Sequence, residues 1–201
     1  MPRPHSVLAV TGTLFVALAA TIVLLGAPPA DVALRNAVLD LSSPAVVSVM
    51  HVVNHAGYWK VIVPGTLVLF VVFAQARRHW WLWSAVLAAA PVSEGVLKQL
   101  IRRPRPESAA FAFPSGHAAA AAAFFGATIY LAGSLPPLWR AIVRGLAVLA
   151  IVLVGLARIV LRAHWPSDVL GGAALGLALA SLATMIATVP TVSAGGSAAP
   201  S

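Results

Sequence analysis

Six apolar runs, each close to the length of a helix that crosses a bilayer, dominate this sequence. A bilayer core needs about 20 apolar residues per helix. The runs cover residues 7–25, 58–76, 81–101, 115–135, 139–161 and 166–189. Hydrophobic residues make up 60% of the chain and charged residues only 9%, too few to keep a water-facing surface of this size hydrated. The pattern predicts an all-α bundle of six transmembrane helices and excludes a soluble globular enzyme.

The stretch between the first two runs follows a different pattern. Residues 31–57 are predicted to form a short interfacial helical segment, because Asp31 suits a helix start and Ser43-Pro44 begins a second helix too short to span. We expect residues 1–190 to form one integral-membrane domain and residues 191–201, mostly Gly, Ser, Ala and Pro, to be a disordered tail. The first run is expected to stay as a helix, since it is long for a cleavable signal sequence.

One group of positive charges predicts the orientation of the chain in the membrane, and a second group needs another explanation. The chain has 13 Lys and Arg against 5 Asp and Glu, a formal net charge of +8. Because Lys and Arg accumulate in cytoplasmic loops, one set of helix ends should be cytoplasmic, together with both termini. That set contains Arg3, Arg77, Arg78, Arg140 and Arg144. The extracytoplasmic side then receives Arg102, Arg103, Arg105, Arg158 and Arg162. The topology rule does not explain this second group, so an anionic substrate is the stronger cause, and nucleic acid is not expected as a partner.

Residues suited to catalysis or anion binding cluster at the same extracytoplasmic helix ends. They are Lys98, Arg105, Ser115, Gly116, His117, Arg158, His164 and Asp168. Arg offers a planar fork of donors to phosphate oxygens, and the free N–H groups of a helix start attract the same anion. Asp168, one turn after His164, is placed to hold one imidazole nitrogen while the other attacks or carries a proton. The chain has no cysteine, so a thiolate nucleophile and a thiolate metal site are excluded.

The spacing of these residues resembles the three-part signature of the type-2 phosphatidic acid phosphatase superfamily, which includes lipid phosphate phosphatases and vanadium haloperoxidases. The three parts stand here as Lys98, six residues, then Arg105-Pro106; as Pro114-Ser115-Gly116-His117; and as Arg158, five residues, His164, three residues, Asp168. The family usually has Ser before the Arg of the third part, where this chain has Ala157. We expect that difference to have a modest effect on substrate binding.

The resemblance implies a role for each matched residue. His164 is implied to be the nucleophile that forms a phosphohistidine, Asp168 to orient it, and His117 to protonate the leaving oxygen and then activate water. The implied substrate-binding set is Lys98, Arg105, Ser115, Gly116 and Arg158. The implied activity is metal-independent hydrolysis, with no cofactor, of a lipid phosphomonoester or diphosphate such as phosphatidic acid or a polyprenyl diphosphate. The site is implied to face the extracytoplasmic side of the cell membrane.

Four charged residues outside the signature are open to two interpretations. Arg102, Arg103 and Arg162 either contact lipid headgroups, which the sequence favours, or hold a second phosphate. Glu107 is expected to be a solvated loop charge rather than a gate. These assignments decide how many phosphates the site accommodates.

Two helical pairs of polar residues have simple interpretations. Lys98 lies one turn after Glu94, so the two are expected to pair while Lys98 still binds phosphate. His51 and His55 also lie one turn apart, but no third ligand is evident and a metal site is not expected.

Two other functions fit parts of the pattern. A non-catalytic membrane protein that binds or transports an anion or lipid would keep the basic residues, but it would not need a nucleophile and an acid at opposed positions. Haloperoxidase chemistry with bound vanadate would use the same pocket, but relatives of that kind are mostly soluble. Lipid phosphate hydrolysis is therefore favoured.

Overall fold

The computed structural model describes residues 3–26 and 28–188, so the tail expected at 191–201 lies outside the described residues. Within those ranges the chain is helical apart from its connecting loops and one isolated β-bridge between Pro104 and Phe111. The α-helices are α1 (Pro4–Leu25), α2 (Pro29–Asp40), α3 (Pro44–Asn54), α4 (Trp59–Val72), α5 (Ala74–Arg78), α6 (Trp80–Ile101), α7 (Gly116–Leu131), α8 (Pro137–Val160) and α9 (Pro166–Thr188). The prediction of an all-α fold is confirmed.

Four helical stretches are long and apolar enough to cross a membrane. They are α1, α7 with the short turn that follows it, α8 and α9. Helix α4 is apolar but has only 14 residues, and α6 has 22 residues but falls outside this group. Helices α2 and α3 meet at a bend of 113°. The chain is therefore a multi-pass membrane protein, while the count of six spans stays a prediction.

Proline and serine place the starts of α2 and α3. Each helix begins with Pro, which fits the first turn because its missing N–H has no partner there. The side chain of Ser43 accepts a hydrogen bond from the backbone N–H of Val46 at 3.3 Å, which confirms the predicted start of α3. Asp31 does not begin α2 as predicted. It lies inside the first turn, 3% exposed, and its carboxylate turns away to cap a different helix, α9.

Small residues, among them the alanine run at 118–123, let α7 and α9 approach closely. A Cβ atom at Gly176 would lie 2.7 Å from the backbone nitrogen of Ala123 and 2.8 Å from the Cβ of Ala122. The same approach joins the starts of the two helices, where the backbone N–H of Ser115 donates to the carbonyl of Asp168 at 2.9 Å. This contact places the second and third signature motifs side by side.

The arginines expected on the cytoplasmic side share one end of the bundle. Arg78 lines a cavity with Ser134 and Leu135, just before α8, and Arg144 lines another with Val7, near the start of α1. The signature motifs lie at the other end of α6, α7, α8 and α9. The separation of charge into two groups is therefore present in the fold, and its orientation in the membrane stays a prediction.

Candidate active site

Three helix ends meet around one cavity of about 410 Å³. Its polar wall consists of Glu94, Lys98, Arg105, Gly116, His117, Arg158 and His164. Its apolar wall consists mainly of Tyr58, Trp59, Ile62 and Val63, from the start of α4, and Leu87 and Pro91, from α6. The structure thus brings six of the eight predicted site residues to one surface. The other two, Ser115 and Asp168, lie behind that surface and are fully buried.

His164 sits between the cavity and a buried carboxylate. The ring is 1% exposed, and its Nδ1 atom lies 3.5 Å from Oδ2 of Asp168, which also accepts a hydrogen bond from the backbone N–H of Trp165 at 2.8 Å. Burial lowers the pKa of the His164 imidazole below its ordinary value, while the nearby Asp168 carboxylate acts to raise it. The ring is therefore neutral near pH 7, the form in which its second nitrogen is nucleophilic.

His117 faces the cavity from the first turn of α7. The ring of Tyr58 stacks on it, with centroids 6.0 Å apart and an angle of 14° between the planes. The backbone at Gly57 packs against the same residue, because a Cβ there would lie 2.8 Å from the carbonyl oxygen of His117. The turn between α3 and α4 therefore fixes the position of this histidine.

Each of the three cavity cations is held by a neighbouring group. Arg158 donates from Nη1 to Oδ1 of Asn54 at 2.7 Å, and Arg105 donates from Nε to the carbonyl of Phe111 at 3.2 Å. Lys98 forms an ion pair with Glu94, as its spacing predicts. Positive groups fixed in this way can stabilise the charge of a bound anion without any rearrangement of solvent.

Glu94 lies next to the start of α7. A Cβ at Gly116 would collide with its carboxylate group, so a larger residue there would displace the Glu94 side chain. A carboxylate thus stands beside Lys98 and the first turn of α7, which is the position that an incoming phosphate would approach. Sequence analysis identified the pairing with Lys98 but not this contact.

Ser115 occupies a different place from the one expected for a phosphate ligand. Its side chain is 0% exposed and its Oγ has no hydrogen-bond partner in the described part of the chain. Its backbone N–H is already used by the carbonyl of Asp168. Ser115 therefore joins α7 to α9 in this structure, while Gly116 forms part of the cavity wall.

The three arginines outside the signature have separate environments, and none of them lines the cavity. Arg102 is exposed and donates to the carbonyl of Gln99 at 3.0 Å. Arg162 is also exposed and contacts Glu107 at 3.1 Å. Arg103 is 5% exposed and bonded to Asp168, so headgroup contact, the use favoured from sequence, is wrong for this residue.

Glu107 forms ion pairs, which a simple solvated loop charge would not. It pairs with both Arg35 and Arg162 in an exposed position. The Arg162 hydrogen bond is the largest of the effects that lower the pKa of this carboxyl group. On the other polar pair of the sequence, Nδ1 of His55 bonds to the backbone carbonyl of His51 at 2.8 Å, as in an ordinary helix end.

Sequence reasoning missed the supporting roles of three residues: Asn54 and Tyr58 contact Arg158 and His117, and Asp31 reaches Asp168 through Arg103. All of them come from residues 31–58, between the first apolar run and the first residue of the second. The available signal was their polarity within an otherwise apolar stretch. Their partners lie more than 50 residues away in sequence, so no spacing rule could connect them.

Sequence comparisons agree with the geometry. A family model described as the PAP2 superfamily matches residues 79–189. Phosphatidylglycerophosphatase B of Bacillus subtilis is 33% identical over 176 residues, which cover 82% of this chain and 87% of that protein. Decaprenylphosphoryl-5-phosphoribose phosphatase of Mycobacterium tuberculosis is 32% identical over 181 residues, which cover 82% of this chain and 89% of that protein.

Structure comparisons extend the similarity over most of the chain. The solved structure of a transmembrane PAP2-type phosphatidylglycerolphosphate phosphatase from Bacillus subtilis matches with a TM-score of 0.78 and 31% identity, covering 92% of this chain and 96% of that one. The structure of Aquifex aeolicus LpxE shares the fold at a TM-score of 0.63 and 22% identity, covering 77% of this chain. The chain therefore belongs to the PAP2 superfamily and is a membrane phosphatase of that family.

Proposed function

We propose that this protein hydrolyses a lipid phosphate through a phosphohistidine formed on His164. One observation carries the proposal: a single cavity joins a wall of two histidines and three cations to a wall of apolar side chains. A phosphate and a hydrocarbon tail belonging to one molecule match these two walls. A soluble phosphate ester has no hydrocarbon tail to contact the apolar wall.

The apolar wall supports entry from the bilayer. Ile62 and Val63 of α4 face Leu87 and Pro91 of α6 across the cavity. Val63 is 52% exposed on the outer surface of the bundle, as expected beside a lateral opening. A lipid whose tail stays among the acyl chains would reach the cations without leaving the membrane.

The first chemical step transfers the phosphoryl group to the enzyme. The free ring nitrogen of His164 attacks phosphorus, the bond to the lipid oxygen breaks, and His117 gives a proton to that oxygen. Asp168 stabilises the positive charge that develops on the His164 ring. Lys98 and Arg158 meet the charge on the equatorial oxygens.

The second step returns the enzyme to its starting state. His117, now neutral, takes a proton from water, and the water oxygen attacks phosphorus. The N–P bond breaks, inorganic phosphate leaves, and His164 is neutral again. Fixed cations supply the charge stabilisation in both steps, which makes hydrolysis independent of a metal ion.

The charges around the cavity favour a phosphomonoester over a diphosphate. The cations in its wall are Lys98, Arg105 and Arg158. Of the further arginines considered for a second phosphate, Arg103 is engaged with buried carboxylates and Arg162 with Glu107. The substrate thus resembles those named for the relatives from Bacillus and Mycobacterium, and we place its hydrolysis on the extracytoplasmic side.

A panel of lipid phosphates tests the proposal, with phosphate release from detergent-purified protein as the readout. Wild type should release phosphate from a lipid phosphomonoester in the presence of EDTA and should be inhibited by vanadate. His164→Ala and His117→Ala should each lose activity by more than about a hundredfold. Strong inhibition by EDTA would contradict the metal-free mechanism, and full activity of the histidine variants would leave only an anion-binding or transport role.

A further inference from the structure

A buried arginine connects the carboxylate of Asp168 to a second carboxylate from α2. Arg103 donates from Nη1 to Oδ1 of Asp168 at 2.7 Å and from Nη2 to Oδ2 of Asp31 at 2.6 Å. The three side chains are at most 5% exposed. A guanidinium group suits this arrangement because its planar fork serves two carboxylates at once.

Asp31 also holds the start of α9, the helix that carries Asp168. Its Oδ1 accepts a hydrogen bond from the backbone N–H of Ser167 at 2.8 Å, and its Oδ2 accepts one from the Ser167 hydroxyl at 2.5 Å. Arg103 donates to the same hydroxyl oxygen at 2.6 Å. An acidic group at a helix start satisfies free N–H groups and interacts favourably with the helix dipole. One carboxylate from α2 therefore fixes both the backbone before Asp168 and the arginine that holds its side chain.

The two carboxylate oxygens of Asp168 have different partners. Oδ1 receives Arg103, which leaves Oδ2 for the backbone of Trp165 and the ring of His164. Without Arg103 the carboxylate would be buried with too few donors and free to rotate toward other partners. The orientation of the His164 ring thus depends on contacts that lie outside the cavity.

From this geometry we infer that Asp31 and Arg103 form a positioning pair, which acts on the reaction through Asp168 and touches neither substrate nor phosphate. The inference rests on the proposed function, since it needs His164 to be the nucleophile. It assigns a role in the reaction to α2, which the signature motifs do not include.

The pair stands behind the Asp168 carboxylate, and its two members carry opposite charges. Neutralising Asp31 removes a negative charge and disfavours the protonated ring, whereas neutralising Arg103 removes a positive charge and favours it. The acidic limb of kcat/KM should therefore move to lower pH in Asp31→Asn and to higher pH in Arg103→Gln. The other charged or titratable groups around His164 are Asp168, Arg158, Arg105 and His117. Neither substitution replaces any of these four residues.

The experiment compares three purified variants with wild type: Asp31→Asn, Arg103→Gln and Arg102→Gln. The last is the matched control, because Arg102 is the adjacent arginine but is exposed. We expect kcat to fall about tenfold to a hundredfold in the first two variants, as for a displaced catalytic group, and to stay unchanged in the control. The inhibition constant of inorganic phosphate should stay within about twofold of wild type, because the cavity cations are intact. The acidic limbs should shift by about half a pH unit or more, in the opposite directions given above.

Two results would overturn the inference. Wild-type kcat and pH profile in Asp31→Asn would show that the pair does not act on His164, and this near-isosteric variant decides the question even if Arg103→Gln does not fold. Shifts of both acidic limbs in the same direction would show general damage to the site. A His164→Ala protein assayed alongside separates this failure from failure of the proposed function. If His164→Ala remains active the mechanism is wrong, and if it alone is inactive only the positioning role is wrong.

Discussion

Replacing Gly176 with alanine tests whether contact between α7 and α9 determines both the stability of the bundle and the geometry of its active site. The added Cβ would lie closest to the backbone carbonyl oxygen of Ala119 and 2.7 Å from the backbone nitrogen of Ala123, so it falls at least 0.7 Å short of the 3.4 Å at which ordinary contact begins. A backbone atom inside a helix cannot rotate away. The two helices must therefore separate locally by a similar distance.

The expected cost follows from two opposing contributions. Overpacking of a well-packed interior costs about 1–3 kcal/mol, whereas alanine in place of glycine favours a helix by about 1 kcal/mol. Gly145 of α8 provides the matched control, because a Cβ there would meet nothing within 4 Å. Gly145→Ala gains the helix contribution alone, so the two variants should differ by about 2 kcal/mol, with Gly176→Ala the less stable. That difference corresponds to roughly 4–8 °C in Tm for a chain of this size.

Thermal unfolding in detergent, followed by circular dichroism, measures the two Tm values, and phosphate release measures the effect on the site. Gly176→Ala should lose activity below its Tm, because α7 carries His117 and α9 carries Asp168. Gly145→Ala should keep the activity of wild type. Equal Tm values for the two variants would refute the argument that close helix approach holds this bundle together.

Three further predictions concern the active site itself. Because burial lowers the pKa of His164, the acidic limb of kcat/KM, corrected for the ionisation of the substrate, should lie below about pH 6.5, whereas a limb at higher pH reports loss of the proton that His117 donates; an acidic limb centred above pH 6.5 would contradict a buried neutral nucleophile. Asn54→Ala should raise KM about tenfold, because Arg158 loses a hydrogen bond to a charged group worth about 1.5–3 kcal/mol, and an unchanged KM would show that Arg158 needs no such support. Glu94→Gln should lower the inhibition constant of inorganic phosphate by about fivefold by removing a nearby negative charge; a higher constant would mean that Glu94 mainly serves to position Lys98.

The signature residues were predictable because they depend on short spacings. Asp168 follows His164 by one helical turn, and Ser115-Gly116-His117 begins a helix wherever that helix packs. Hydropathy identified the apolar runs for a similar reason, since crossing a membrane is a property of each segment alone. The predicted bounds of these runs lie close to the observed helix bounds. The exception is the second run, where α4 is shorter than expected and is followed by the separate helix α5.

The residues that support the site were not predictable in this way. Asp31 suggested a helix start from sequence and does cap a helix, but the helix is α9, which begins 135 residues later. Arg103 suggested an interfacial charge, because its sequence neighbours Arg102 and Arg105 share its charge and differ only in surroundings. A capping or ion-pair preference states which partner a side chain needs and not which segment supplies it.

The sequence by itself therefore determined that this chain is a helical membrane protein with a phosphatase signature, because hydropathy and short-range spacing are local properties. Only the tertiary structure decided which polar groups line the cavity and which stand behind it. In a bundle with so few charged residues, each buried charge must find its partner across helices. Those partners are set by packing, which in this protein depends on the small residues that let α7 and α9 meet.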